Sequence, residues 1–349
     1  MISLKEYAEQ LDGSDQAERI YAAQDIGYLN DPSGVPVLLE RLGKEPSRAV
    51  REVIFQALIR IDADAAIEGS IRLLGSADPQ IRNQDVDVLR NKGARSILFL
   101  NTVMRDGDKN IRKLVLDVLS GSAASGTEEI YAAALSDPDP NVVITAVENL
   151  GKIRAGEFRS RIEDLLQPGA HPMLISACLE ALVGIGHESS LASIRRMFPK
   201  FDKLPDFQLA SCLKAIAALG SEKEFAEVAC LLAVRGSHLR PAILNTLMAI
   251  YPRCPSLDPS QSLLPELRTI IESGEPPLCR YHAVRMLGLW GARNDVYALL
   301  VSSLSSTERL VRLAAVEAIR STEHPGLERV LAARLREETD GEVLEALNC

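Results

Sequence analysis

Val142-Val-Ile-Thr-Ala-Val-Glu-Asn-Leu-Gly151 decides the fold, because the chain writes it again and again. Val311-Arg-Leu-Ala-Ala-Val-Glu-Ala-Ile319 and Ile111-Arg-Lys-Leu-Val-Leu-Asp-Val-Leu119 share its plan. An aliphatic residue comes first, Arg often follows, and apolar residues stand three, four and seven positions later. With the Arg-type position set to zero, it recurs at 19, 51, 82, 112, 143, 175, 209, 240, 280, 312 and 343. The steps are 32, 31, 30, 31, 32, 34, 31, 40, 32 and 31 residues. Self-similarity of this period is the signature of a repeat array.

The other columns keep the register. Plus three reads Ala22, Ile54, Asp85, Val115, Ala146, Cys178, Cys212, Ile243, Ala283, Ala315 and Ala346. Plus four begins Ala23, Phe55, Val86, Leu116, and plus seven begins Ile26, Leu58, Leu89, Leu119. Offsets of three, four and seven share one face of a 3.6-residue helix, so each unit opens with an amphipathic helix. Proline precedes or opens it at Pro46, Pro79, Pro140, Pro172, Pro205 and Pro277, where no helical N–H is lost. Asp78 and Asp139 are placed as N-caps. A second apolar run follows in each unit, such as Val35-Pro-Val-Leu-Leu-Glu-Arg-Leu42, and Gly27, Gly151, Gly186 and Gly220 are expected near the left-handed position that ends a helix. So short a helix pair cannot bury its own apolar faces, whereas stacking on neighbours can.

Composition agrees and narrows the class. The 349 residues are 46% hydrophobic and only 4% aromatic, dominated by helix formers. A formal charge of −9 argues against general nucleic-acid binding. Six scattered cysteines without a CxxC pair fit a reduced compartment. No apolar run reaches the ~18 residues a bilayer span needs. The expectation is a soluble cytoplasmic protein.

The pattern Asp-Pro-x-[Val/Ile]-Arg-x-x-Ala-Val-x-x-Leu-Gly, met in pieces above, resembles the short bacterial HEAT-like repeat of the phycobilin lyase type, over about residues 17 to 348. The resemblance implies an all-α, right-handed α-solenoid of about ten to eleven helix-pair repeats. It is read as a single array over 1–349, with 1–16 as an N-terminal capping helix and 337–349 as a partial last repeat or cap. Ser3 with Glu6 forms a capping box for the first helix. No lyase-specific residue set maps onto this sequence.

Among polar features, the recurrent Arg is the most regular. An acid often precedes it by four, as Asp15, Asp78, Asp108, Asp139 and Glu308, and at Ile175 and Leu209 both members are missing. This predicts an internal ladder in which each Arg bonds carboxylates and helix-end carbonyls of its own or the adjoining unit. Asp85 is the single charge in the plus-three column and a candidate buried polar site, with a position-zero Arg of a neighbouring unit as its expected partner.

Catalytic and metal motifs fail. His187-Glu-Ser-Ser-Leu191 lacks the second His of HExxH, and Cys279 with His282 has no second ligand pair. Gly121-Ser-Ala-Ala-Ser-Gly126 lacks the phosphate-loop Lys and reads as a flexible link. Cys178 and Cys212 read as small core hydrophobes, and Trp290 as core. Two departures from the period remain. One is the proline-rich insertion 251–259. The other is a segment that turns basic: Lys152 to Lys203 holds eight basic and six acidic residues, while the remainder carries −11. Within it, Arg195, Arg196, Lys200 and Lys203 would steer an acidic protein or peptide, with Phe198 or Phe201 as anchor.

The sequence thus reads as a non-catalytic scaffold or regulatory solenoid that binds a protein or peptide, without cofactor, metal, nucleic acid or membrane. The alternatives are a subunit of a bilin lyase-type enzyme and, further off, a HEAT-like DNA-lesion glycosylase.

Overall fold

The computed structural model describes residues 3–120, 126–254, 256–258 and 260–348. The Gly121–Ser125 part of the small-residue link, and Pro255 and Pro259 of the proline-rich insertion, lie outside the described residues. Within them the chain is all-helical, and no helix is long and apolar enough to cross a membrane.

The chain divides into two compact units, Met1–Ile162 and Glu163–Cys349. The first holds α1 (Leu4–Leu11), α2 (Gln16–Leu29), α3 (Gly34–Leu42), α4 (Arg48–Arg60), α5 (Asp64–Leu73), α6 (Pro79–Asn91), α7 (Ala94–Asp106), α8 (Lys109–Leu119), α9 (Thr127–Ala134) and α10 (Pro140–Lys152), and α11 (Arg159–Asp164) crosses the division. The second holds α12 (Pro172–Ile185), α13 (Ser190–Met197), α14 (Asp206–Leu219), α15 (Glu222–Val234), α16 (Arg240–Ile250), α17 (Ser260–Glu272), α18 (Pro277–Gly288), α19 (Asn294–Ser303), α20 (Arg309–Arg320), α21 (Leu327–Leu335) and α22 (Gly341–Asn348).

Each unit is two layers deep. In the first, the helices that carry position zero, α2, α4, α6, α8 and α10, pack side by side, and α1, α3, α5 and α7 form the second layer. In the second, α12, α14, α16, α18, α20 and α22 make the one layer, and α15, α17 and α19 stack in the other. The most extensive pairs join successive even-numbered helices, as α2 to α4 or α18 to α20, and odd-numbered helices pack on the even-numbered helix after them, as α5 on α6 or α19 on α20. α1 pairs with α2 in the same way as α3 with α4.

The predicted stripes fill the space between layers. Ala22, Ala23 and Ile26 on α2, Val115, Leu116 and Leu119 on α8, and Ala315, Val316 and Ile319 on α20 are all fully buried. Each buried Val, Leu or Ile side chain contributes roughly 1.5–3 kcal/mol. Cys178, Cys212 and Trp290 are core residues as their columns imply.

Helix starts follow local chemistry. Asp15, Asp78, Asp108 and Asp139 are N-caps, accepting from the backbone N–H of Ala17 and Glu18, Gln80, Asn110 and Ile111, and Asn141. Pro79, Pro140, Pro172 and Pro277 stand in the first turn, and Ser3 with Glu6 completes its capping box. Helix ends differ from expectation. Gly186 and Gly220 cap in extended conformation, and Gly27 and Gly151 lie inside helices; the left-handed residue ending α2 is Asn30, at φ 50°. Gly27 is there for another reason: a Cβ on it would sit 2.8 Å from Ala57 Cα, so only glycine lets α4 approach α2 this closely.

Candidate functional site

The recurrent Arg is a structural rivet. Arg19 donates from Nε and Nη2 to the Glu45 carboxylate at 3.0 and 3.2 Å, and from Nη1 to the carbonyls of Gly13 and Ser14 at 3.1 and 2.8 Å. Arg312 repeats this with Glu338 at 2.9 and 3.1 Å and with the carbonyls of Ser306 and Thr307. Arg112 does so with Asp137 and Gly107, Arg51 pairs with Asp78, and Arg240 with Glu275. The partner acid therefore belongs to the connection ahead of the next position-zero helix. The acid four residues before the Arg is not its partner where Asp15, Asp108 and Glu308 stand, because Asp15 and Asp108 cap their helices and Arg312 turns to Glu338.

Two of these carboxylates are clamped twice. Arg41 adds to Glu45 and Arg334 to Glu338, so each buried carboxylate is held between two guanidiniums. Burial pushes the Glu338 carboxyl up, but Arg312, the amides of Asp340 and Thr339, and Arg334 outweigh it and hold it at about 2. Charges spent this way are unavailable to a ligand.

What the position-zero layer turns outward is different. Two residues before position zero, in the first helical turn, α12, α14, α18 and α20 of the second unit show Met173, Phe207, Leu278 and Leu310, with exposures of 60%, 57%, 49% and 36%, whereas the same position ahead of α16 is His238, hydrogen-bonded to Asp206, and in α22 is Gly341. The same position in α6, α8 and α10 is Gln80, Asn110 and Asn141. Between the apolar side chains the floor on α14 and α16 is small, with Ala210, Ser211, Ala218 and Ala242 partly exposed. Lys214, the charge on that floor, is tied to Glu180 at 3.1 Å. Met173 and Phe207 keep more than half of their surface in water, so much of these apolar side chains is not used in stacking.

A family comparison accounts for the architecture. HEAT repeats match residues 4–90 and 264–348. Both of those stretches are HEAT repeats. Among solved structures, Kap121p superposes with a TM-score of 0.57 at 14% identity, over 99% of this chain and 44% of its own. Kap121p bound to Pho4p gives 0.57 at 13%, over 99% and 45%, and Kap121p bound to Nup53p gives 0.57 at 13%, over 99% and 44%. The chain thus spans less than half the length of Kap121p, and at this identity the likeness is one of fold. No curated protein sequence matches it.

In this chain the basic segment is built differently from its expected surface. Phe198 and Phe201 are core residues, 5% and 6% exposed, so neither ring is presented as an anchor. Arg195 is half-buried between Glu224, 3.1 Å from its Nε, and Glu227 at 2.9 Å; burial works against its charge and the two carboxylates outweigh that. Arg196, Lys200 and Lys203 are exposed, Arg196 touching the Ser193 hydroxyl and Lys203 standing 3.6 Å from Asp202. Phe207, six residues beyond Phe201, is the phenylalanine that reaches solvent. Asp85 is fully buried, and the expected Arg is not there: both carboxylate oxygens lack a hydrogen-bond partner.

Among the described residues no three His, Cys, Asp or Glu stand close enough to hold a metal ion. Burial pushes the Cys178 and Cys212 thiols up to about 12, which leaves them unreactive near neutral pH. The exposed apolar row carries no periodic signal of its own along the whole chain, since only four of the positions two residues before the Arg-type position are large and apolar.

Proposed function

We propose that this chain is a non-catalytic scaffold that binds a protein or peptide on the outward face of α12, α14, α18 and α20. The observation that carries the proposal is the row Met173, Phe207, Leu278 and Leu310. Exposed apolar groups rimmed by polar residues mark interaction sites. Adjacent helices pack about 8–10 Å apart, so Met173 with Phe207 on α12 and α14, and Leu278 with Leu310 on α18 and α20, offer two pairs of apolar contacts, separated by α16, that an apolar partner segment can follow. An acidic surface on the partner would be steered by Arg196, Lys200 and Lys203, whose side chains are free of the ladder. In the cytoplasm such a protein works by holding partners.

Site-specific photo-crosslinking tests this. A photoreactive phenylalanine analogue is placed at 173, 207, 278 or 310, or at 80, 110 or 141 as controls, and adducts are identified by mass spectrometry. One recurring partner at the first four positions and not at the controls supports the proposal. Equal labelling at both sets refutes it.

A further inference from the structure

The plus-three column has one exception, and it is buried as deeply as the rest. Asp85 on α6 is 0% exposed, at a position where Ile54, Val115, Ala146 and Cys178 pack in other repeats. The Ser70 hydroxyl of α5, also 0% exposed, is the polar group nearest in effect, yet neither it nor either Asp85 oxygen completes a hydrogen bond among the described residues. A buried ionised carboxylate without a partner is costly, so the side chain holds its proton through neutral pH while it stays buried.

No charged group offers relief. On α4, Arg51 is engaged by Asp78; on α5, Arg72 bonds the Glu68 carbonyl and Asp64 is held by Arg95. On α8, Arg112 grips Asp137 and Lys113 pairs with Asp117, while Arg82 of α6 itself bonds the carbonyls of Ser76 and Ala77. Burial alone sets the carboxyl, raising it to about 8, with Ser70 opposing weakly.

Surface grooves flank the contact of α6 with α8 at both ends, one beside Leu89 and Leu119, the other beside Arg82 and Ile111.

We propose that the α5–α6 helix pair is a pH-dependent seam of the first unit, closed with a protonated Asp85 and opened with release of that proton to water. The closed form binds the proton more tightly than the open form, in which the carboxyl has its ordinary value of 3.8. Closure is therefore strongest below about 4, weakens as pH rises, and levels off above about 8. The seam relaxes across the acid-to-neutral range.

Hydrogen–deuterium exchange of the full chain between pH 5 and 8 tests this, after correction for intrinsic exchange. Protection over residues 64–91 is expected to fall by about tenfold per pH unit, with residues 309–320 unchanged as an internal reference. Asp85→Asn should abolish the slope. A wild-type slope over 64–91 no steeper than over 309–320, or one retained in Asp85→Asn, overturns the proposal. Because the wild-type comparison needs no variant, it decides even if Asp85→Asn does not fold.

Discussion

The Arg19 guanidinium grips the Glu45 carboxylate twenty-six residues ahead, and Arg312 grips Glu338 across the same interval. In each unit the contact ties the connection before one position-zero helix to the connection before the next. It is the polar counterpart of the apolar columns.

Removing one partner leaves the others buried and charged. Glu338→Ala should therefore cost roughly 3–5 kcal/mol, since Arg312 and Arg334 both lose their carboxylate. Denaturant midpoints check this, and a loss below 1 kcal/mol would show that the clamp contributes little.

The same carboxyl gives an acid signature. Its value is depressed from 4.5 to about 2, so the folded state binds the proton less tightly than the unfolded state. Its contribution is present above 4.5 and lost as pH falls through about 2. Between these limits the urea midpoint should fall more steeply in the wild type than in Glu338→Gln; parallel curves would contradict this.

Gly27→Val should destabilise by about 1–3 kcal/mol through overpacking, because the new Cβ meets the Ala57 backbone rather than a movable side chain. A matching loss is expected for Gly288→Val, whose Cβ meets Ala318. Thermal unfolding of both variants measures it.

Two phenylalanines six residues apart should behave oppositely. Phe201→Ala is expected to cost about 3–5 kcal/mol, as for a core aromatic, because Phe201 is buried. Phe207→Ala should stay within about 0.5 kcal/mol of wild type, because Phe207 is exposed. Similar losses in the two would remove the distinction between core and docking surface.

These contrasts mark where the sequence could be read. The buried columns were legible because helix periodicity and burial coincide, so Ala22, Leu116 and Val316 declare themselves. The Arg partners were harder. Asp15 stands at a suggestive spacing from Arg19, but backbone N–H groups one turn away claim its carboxylate first. Glu45 is remote in sequence, and stacking of the next pair brings it within reach. Phe198 and Phe201 sit among cations in sequence yet turn inward, a choice made by the path of the connection rather than by composition. Asp85 was conspicuous as a buried charge; that nothing would pair with it depends on side chains from three other helices.

The docking face is tested most directly by comparing two versions of the chain against a displayed random-peptide library. Peptides selected on the wild type should be rich in apolar residues. Their Kd should rise at least about tenfold, or about 1.4 kcal/mol, when Met173, Phe207, Leu278 and Leu310 are all replaced by Ser in a chain whose thermal unfolding is unchanged. Selected peptides that bind both chains with equal Kd, or a library from which the wild type enriches nothing, would contradict the account.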